Sequence, residues 1–369
     1  MIFPQLIPWA KPDYWGHEES YVTQALQSTW ISGGEFVDRL EQSVASACGV
    51  THALAVSNGT TALHLAYLAL DLRPGDEVIV PGFAFMAAAN VALHMGLVPV
   101  FADVDPDTWC LTAAHAEKRV TERTKAIIPV HTYGNVCDMD SLLELGRARG
   151  VSVIEDAAES FGSTHRGRWS GAMGDLGTFS FQATKVITTG EGGMVLTPRD
   201  DLASRMKLFR SHGMLRQKRF YWHEVAGHNF RLTNLQAALG CAQFERMDQI
   251  VEARARVHGA YRAVLGGAAG ISLQRFRPEV REVLWAMAVK LDPRAFPQGR
   301  DAVIEQMRAE NIETRPGFYA ASRMDHLYDA SGLPVSEDLS AHVLSLPTYP
   351  TLSDDTVAEI AAALLRLRR

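Results

Sequence analysis

From residue 52 onward, short apolar runs and amphipathic runs alternate along the chain. The apolar runs at 52–57, 77–80, 98–103, 126–130, 151–155, 178–181 and 194–196 predict strands. The helical spacing at 60–72, 85–95 and 139–149 predicts helices between them. Near-continuous Val/Ile strands alternating with helices predict a mostly parallel central sheet with helices on both faces. Upstream, residues 1–16 are rich in Pro and Trp and read as an irregular arm. Helical spacing follows at 17–29, is broken by Trp30-Ile31-Ser32-Gly33-Gly34, and resumes at 35–48 with Phe36, Leu40, Val44 and Ala47 on one face and Gly49 as a stop. Downstream, 232–265 is helical for much of its length, followed by a strand at 283–291 and helices at 301–310 and 354–367. The pattern predicts a large α/β domain over 1–250, with the N-terminal arm, and a smaller C-terminal α+β domain over 251–369. No repeat period suggests a solenoid.

Composition narrows the class. A length of 369 residues fits two domains of roughly 100–200 residues each. Net charge is −6 with both signs spread along the chain, so no basic tract argues for nucleic acid or membrane. The run from Arg210 to Arg219 is basic but mixed with apolar residues, and is expected to be a substrate-phosphate or interface segment. Cys48, Cys110, Cys137 and Cys241 form no C-x-x-C pair, and the histidines show no H-E-x-x-H spacing. A disulfide framework and a metal site are therefore not expected, and a reducing cytoplasm is. The first residues lack the basic start and apolar core of a signal peptide, and no apolar run reaches membrane-spanning length.

The candidate chemistry centres on residues 177–193. An apolar strand, a turn, Lys185 and a glycine-rich bend follow one another there. An amine in a dry setting loses proton affinity and becomes a nucleophile able to form Schiff bases with aldehydes such as pyridoxal phosphate (PLP). Other strand ends supply matching groups. Ser57-Asn58-Gly59-Thr60-Thr61 joins a strand to a helix start, where Gly59 and Thr60 could hold an anion. Asp156 and Glu159 follow the strand at 151–155, and Asp156 could partner a pyridinium nitrogen. Phe85 could stack on a heterocycle, and His131 and Tyr133 could orient a substrate. Each has a plainer reading: capping by Asn58 or Thr60, capping by Asp156, core packing by Phe85, a hydrogen-bonded structural His131. Together they supply what PLP needs. There is no G-x-G-x-x-G and no P-loop.

Over residues 30–350 the chain resembles the sugar aminotransferases of the DegT/DnrJ/EryC1/StrS family. The likeness is carried by Ser57-Asn58-Gly59-Thr60-Thr61-Ala62-Leu63-His64-Leu65, Pro74-Gly75-Asp76-Glu77-Val78-Ile79-Val80-Pro81, Pro129-Val130-His131-Thr132-Tyr133-Gly134, Ile154-Glu155-Asp156-Ala157-Ala158-Glu159 and the lysine segment. It implies the aspartate aminotransferase fold (PLP fold type I). By this likeness Lys185 holds PLP through a Schiff base and moves protons. Asp156 pairs with the ring nitrogen, Phe85 stacks on the ring, and Gly59, Thr60 and Ser180 hold the phosphate. Glu159 lies near cofactor or sugar, and Asn229 reaches the phosphate of a neighbouring subunit, so a homodimer with shared active sites is expected. His131, Tyr133, Arg231, Arg315 and Tyr319 are the substrate candidates. The implied reaction moves an amino group from L-glutamate to a 4-keto-6-deoxy nucleotide sugar, first of all GDP-4-keto-6-deoxymannose. A dTDP- or UDP-linked 3- or 4-keto sugar is the alternative. Related sugar 3-dehydratases carry His where this chain has Lys185. A non-catalytic PLP-binding regulator would leave Lys185 and Asp156 idle. The chain departs from the family at Gly82, Ala84, Ala88, Gln182 and Ala320-Ala321-Ser322, positions that this likeness puts on the sugar side of the pocket.

Overall fold

The strand His52–Val56 turns Leu54 and Val56 into one core and Ala53 and Ala55 into another. The strand Glu77–Pro81 divides Val78 and Val80 from Ile79 in the same way, and Ser152–Asp156 divides Ile154 from Val153. A strand with apolar residues on both sides of its two-residue period must be covered on both faces. A computed structural model shows that arrangement and describes residues 2–214, 219, 221–327 and 330–369.

Among the described residues the main sheet has seven strands. They lie in the order His52–Val56, Gly193–Thr197, Leu176–Ser180, Ser152–Asp156, Thr124–Ile127, Glu77–Pro81, Val98–Ala102. Gly193–Thr197 runs antiparallel to both its neighbours, and the other pairings are parallel. Helices Gly59–Ala69, Ala87–His94 and Asp200–Arg210 share one core with the sheet. Met139–Arg149 covers part of the other face, and Glu35–Cys48 and Asn234–Phe244 cover the rest. A second, antiparallel sheet of Ile271–Leu273, Met287–Leu291, Val343–Leu346 and Arg315–Pro316 packs with helices Met247–Leu265, Arg300–Ala309 and Asp354–Arg366. The N-terminal arm joins this second layer: Phe3 enters its core and Ile7 bridges to Ile312.

The fold class and the strand–helix alternation are those the pattern predicts, with informative differences. Cys48, not Ala47, completes the buried stripe of Glu35–Cys48. The helical stretch at 232–265 is two helices broken at Glu245 and Arg246. The strand expected at 283–291 starts only at Met287, because the carbonyls of Leu284 and Trp285 bond Arg254 instead of a neighbouring strand. Helices Asp200–Arg210 and Pro334–His342 were not predicted. Phe85 does not open a helix; that helix starts at Ala87.

One buried carboxylate fixes the sheet edge that carries the site. Glu155 is fully buried and accepts from the amides of Gly171 (2.8 Å), Met173 (2.6 Å) and Gly174 (2.7 Å) and from His131 Nε2 (2.9 Å). A carboxylate removed from water is tolerated only with such a full set of donors. Glu155→Gln would point an NH2 group at donors that already need an acceptor. Its expected cost is on the order of 3 kcal/mol, read as a lowered urea or thermal unfolding midpoint.

Candidate active site

The parallel strands deliver their C-terminal ends to one edge. Ser152–Asp156 ends in Asp156 and Leu176–Ser180 ends in Ser180, while His52–Val56 runs into Asn58 and Gly59. Asp156 is buried, and its Oδ1 accepts from the Ala158 amide at 3.2 Å. No helix follows, so Asp156 is a turn residue and not an N-cap. Burial raises its carboxyl above the usual Asp value, opposed by the Ala158 bond and by Lys185 and His131.

The anion cup forms where helix Gly59–Ala69 begins. Asn58 Oδ1 accepts from the Thr61 amide at 2.8 Å, and Thr61 Oγ1 accepts from the Asn58 amide at 3.1 Å. This reciprocal cap uses Asn58 and Thr61 and leaves the first-turn amides of Gly59 and Thr60 without an intrahelical acceptor. A Cβ on Gly59 would lie 2.9 Å from Ser180 Cβ, so only glycine lets the helix start close on that serine. Thr60 is exposed and Ser180 is largely buried.

Lys185 sits in a turn closed by its amide on Gln182 O at 2.8 Å. The half-buried residue places Nζ 3.8 Å from the centroid of the Trp285 ring. Burial pulls its ammonium below the ordinary lysine value, and the carboxylates of Glu159 and Asp156 pull it back. Burial pushes Glu159 up to about 7, against the opposing effects of Lys185 and of the Tyr133 amide, which donates to Glu159 Oε2 at 2.8 Å. Tyr133 makes that bond with a positive φ of 59°. Its ring lies parallel to Phe318 (5.0 Å, 4°) and to Trp285 (6.1 Å, 13°). Its hydroxyl accepts from the Phe318 amide at 3.2 Å. Phe85 is 62% exposed, edge-on to Phe318 at 6.2 Å, and so is not packed in the core.

Other predicted residues lie differently. His131 is fully buried; Nδ1 accepts from the Cys137 amide at 3.2 Å, and Nε2 therefore donates to Glu155. With both nitrogens taken by protein, it has the partners of a structural residue. Tyr133 is buried, its hydroxyl accepts from the Phe318 amide, and it contributes the Glu159 bond through its main chain and an aromatic wall through its ring. Asn229 is exposed and its Oδ1 accepts from Arg231 Nε at 3.1 Å, beside the strand end at Val56, to which Arg231 bridges. Arg315 pairs with Glu313 at 2.7 Å and overlies Trp9 at 5.6 Å. Tyr319 is 47% exposed, with the Arg300 guanidinium 5.3 Å over its ring.

The departures expected on the sugar side are packing positions. Ala84, Ala88, Ala320 and Ala321 are buried, and a Cβ on Gly82 would lie 2.8 Å from Leu333 and Ser336. Gln182 Oε1 accepts from the amide (2.9 Å) and hydroxyl (2.7 Å) of Thr184, shaping the lysine turn. In the basic run, Arg210 pairs with Glu41 at 2.5 Å, a structural contact; Leu215, Arg216, Gln217, Lys218 and Phe220 lie outside the described residues. Asp138, Asp140 and His165 cluster, but Arg277 (2.5 Å) and Arg166 (2.9 Å) already neutralise the carboxylates. Among the described residues no helix is long and apolar enough to cross a membrane. Sequence reasoning missed Trp285 and Arg254 altogether: they stand far from every motif and are marked only as an isolated Trp and an Arg in a helical stretch.

Comparison with known proteins fits this geometry. The chain belongs to the DegT/DnrJ/EryC1/StrS aminotransferase family, whose profile matches residues 13–365. It is 45% identical over 363 residues to the GDP-perosamine synthase of Caulobacter vibrioides, with 96% of each chain covered. It is 38% identical to the GDP-perosamine synthase of Escherichia coli O157:H7, with 97% of each covered. Among solved structures, S. venezuelae DesV in complex with a ketimine intermediate superposes with a TM-score of 0.89 at 30% identity, covering 97% of this chain and 98% of that one. The protein is thus a PLP-dependent aminotransferase. Its residues fit the cofactor: first-turn amides close on a serine suit a phosphate, a buried strand-end carboxylate suits a ring nitrogen, and an amine held below ordinary basicity suits an aldehyde.

Glu159 predicts a pH effect. An acid whose folded value is raised binds its proton more tightly in the folded state, so its stabilising contribution is complete below the ordinary 4.5 and is lost as pH rises through about 7. In the cofactor-free protein, Glu159→Gln should therefore gain stability relative to wild type between pH 5 and 8, by up to about 3 kcal/mol. Thermal melts of both proteins across that range check it; parallel curves would show that Glu159 titrates normally.

Proposed function

We propose that the protein transfers the amino group of L-glutamate to the C4 keto group of GDP-4-keto-6-deoxymannose and so makes GDP-perosamine, as a cytoplasmic homodimer with shared active sites. The observation that carries the reading is the Lys185 amine, held against Trp285 and within electrostatic reach of Glu159 and Asp156. The choice of sugar is supported by the near full-length likeness to GDP-perosamine synthases.

PLP supplies the electron sink that lets an amino group change partners. Lys185 Nζ takes the Cα proton of glutamate in one half-reaction and delivers a proton to sugar C4 in the other; its lowered basicity keeps a neutral fraction for the first task. Asp156 keeps a proton on the cofactor's ring nitrogen. Glu159, with a value near neutrality, holds or releases a proton beside Lys185. The amides of Gly59 and Thr60 and the Ser180 hydroxyl bind the phosphate, and Phe85 covers the ring. The exposed Asn229 reaches the partner subunit's cofactor phosphate. Arg231, Arg315 and Tyr319 meet the glutamate carboxylate or the sugar diphosphate. In this reading residues 1–250 hold the cofactor, and residues 251–369 close over it.

The test is a product mass spectrum from protein, PLP and glutamate with GDP-4-keto-6-deoxymannose and, separately, dTDP- and UDP-4-keto-6-deoxyglucose. An amino sugar from the GDP substrate alone is expected. Product only from another nucleotide would keep the transfer and replace the acceptor. Lys185→Ala should lower turnover by at least about 10³-fold; retained turnover would remove Lys185 from the mechanism.

A further inference from the structure

Arg254, on helix Met247–Leu265, is 4% exposed. Among the described residues its guanidinium meets carbonyls and no carboxylate. Nη1 donates to Leu284 O at 3.1 Å and to Trp285 O at 3.3 Å, and Nη2 donates to Lys185 O at 3.3 Å. Nε is buried without a partner. Burial pulls the guanidinium down to about 10, with Asp13 opposing, so it stays charged at neutral pH. A buried cation without a contacting carboxylate is costly, so the three carbonyls that receive it are what make its burial tolerable.

The choice of carbonyls is the telling point. Lys185 and Trp285 are the two residues whose side chains meet, 3.8 Å from Nζ to ring centroid. They come from segments a hundred residues apart in sequence, and Arg254 on a third element bonds the main chain of both. A second tie runs from Trp285 Nε1 to Thr184 O at 3.0 Å. The Trp285 amide is held by Tyr133 O at 3.3 Å, and Trp9 packs edge-on to the Trp285 ring at 5.5 Å.

We propose that Arg254 is a positioning residue for amino transfer: by bridging the carbonyls of Lys185 and Trp285 it holds Lys185 Nζ against the indole face and shelters the amine from water. The proposal rests on the reading of Lys185 as the reactive amine. A lysine at position 254 carries one compact ammonium and cannot reproduce a planar fork that spans two segments. Misplacing a catalytic amine by about 1 Å can cost on the order of a hundredfold. Arg254→Met should therefore lower kcat by roughly 10- to 100-fold with little change in KM, and Arg254→Lys should fall between it and wild type.

The deciding readout is taken on cofactor-free protein. An amine-acylating reagent labels Lys185 as a function of pH, and peptide mass spectrometry gives the labelling midpoint. Wild type should label with a midpoint below the ordinary lysine value, about 10.4. Arg254→Met should move the midpoint up towards that value as the amine leaves its shelter, alongside the fall in kcat of the reconstituted enzyme. If Arg254→Met does not fold, Arg254→Lys decides by the same two readouts, each moving in the same direction by less. An unchanged midpoint in a folded variant would overturn the proposal, even if stability or activity dropped. A wild-type Lys185 that titrates as an ordinary lysine would overturn the reading of Lys185 itself, a separate result.

Discussion

A lysine amine can be enclosed in protein only if its charged form is paired or its proton is given up, and the site is arranged around that cost. The carboxylates of Glu159 and Asp156 act on Lys185 through space. Burial pushes all three towards their neutral forms, the acids up and the amine down, while their mutual attraction pushes the other way. The balance leaves Glu159 near neutrality and Lys185 below its usual basicity. Groups poised in this way exchange protons with little driving force wasted, as proton transfer at carbon requires. A well-paired surface lysine would be more stable and chemically inert.

The sheet makes this enclosure possible. Consecutive residues of a strand point to opposite faces, so the adjacent carboxylates Glu155 and Asp156 have different fates. Glu155 turns to the face where Gly171, Met173, Gly174 and His131 satisfy it completely. Among the described residues the Asp156 carboxylate accepts one hydrogen bond, from the Ala158 amide, and keeps acceptor capacity for a ligand. Past the strand ends the chain divides the same labour: the His131 side chain serves the structural carboxylate, while the main-chain turn at Thr132–Gly134 aims the Tyr133 amide at Glu159. A buried, satisfied acid thus fixes the strand end from which an under-satisfied acid acts.

Much of this was legible in the chain. The alternating apolar runs predict the parallel sheet, and the strand ends offer Gly59, Asp156 and Lys185 as neighbours, because an α/β sheet places such residues along one edge; Ser180 entered through the family likeness. Asn58 also behaves as its sequence suggests, capping the helix with Thr61 while Gly59 approaches Ser180. What could not be read depends on contacts distant in sequence. Trp285 and Arg254 belong to no motif, and only the fold brings them to Lys185. For His131 the sequence leaves two readings open, a substrate-orienting ring or a hydrogen-bonded structural one, and its partners in the fold, Glu155 and Cys137, favour the second. The strand at 283–286 failed to form for a related reason: two of its carbonyls were already committed to Arg254.

The departures from family pattern carry a further consequence. Ala84, Ala88, Ala320 and Ala321 are buried, Gly82 abuts Leu333 and Ser336, and the Gln182 side chain is consumed by Thr184. Buried alanines and a close-packed glycine set the shape of the surrounding wall and not its hydrogen bonds. Under the proposed assignment, discrimination between sugars then falls to side chains that remain accessible: Arg315 and Tyr319, the latter braced by Arg300. The cofactor end is built from main-chain amides, a close-packed glycine and buried acids, none of which tolerates change. The accessible end is built from exposed side chains, Tyr319 on a loop and Arg315 at the edge strand of the second sheet, away from the seven-stranded sheet. A family with one cofactor chemistry and many acceptors needs this division, since specificity can move at the rim while the buried proton-transfer apparatus stays fixed.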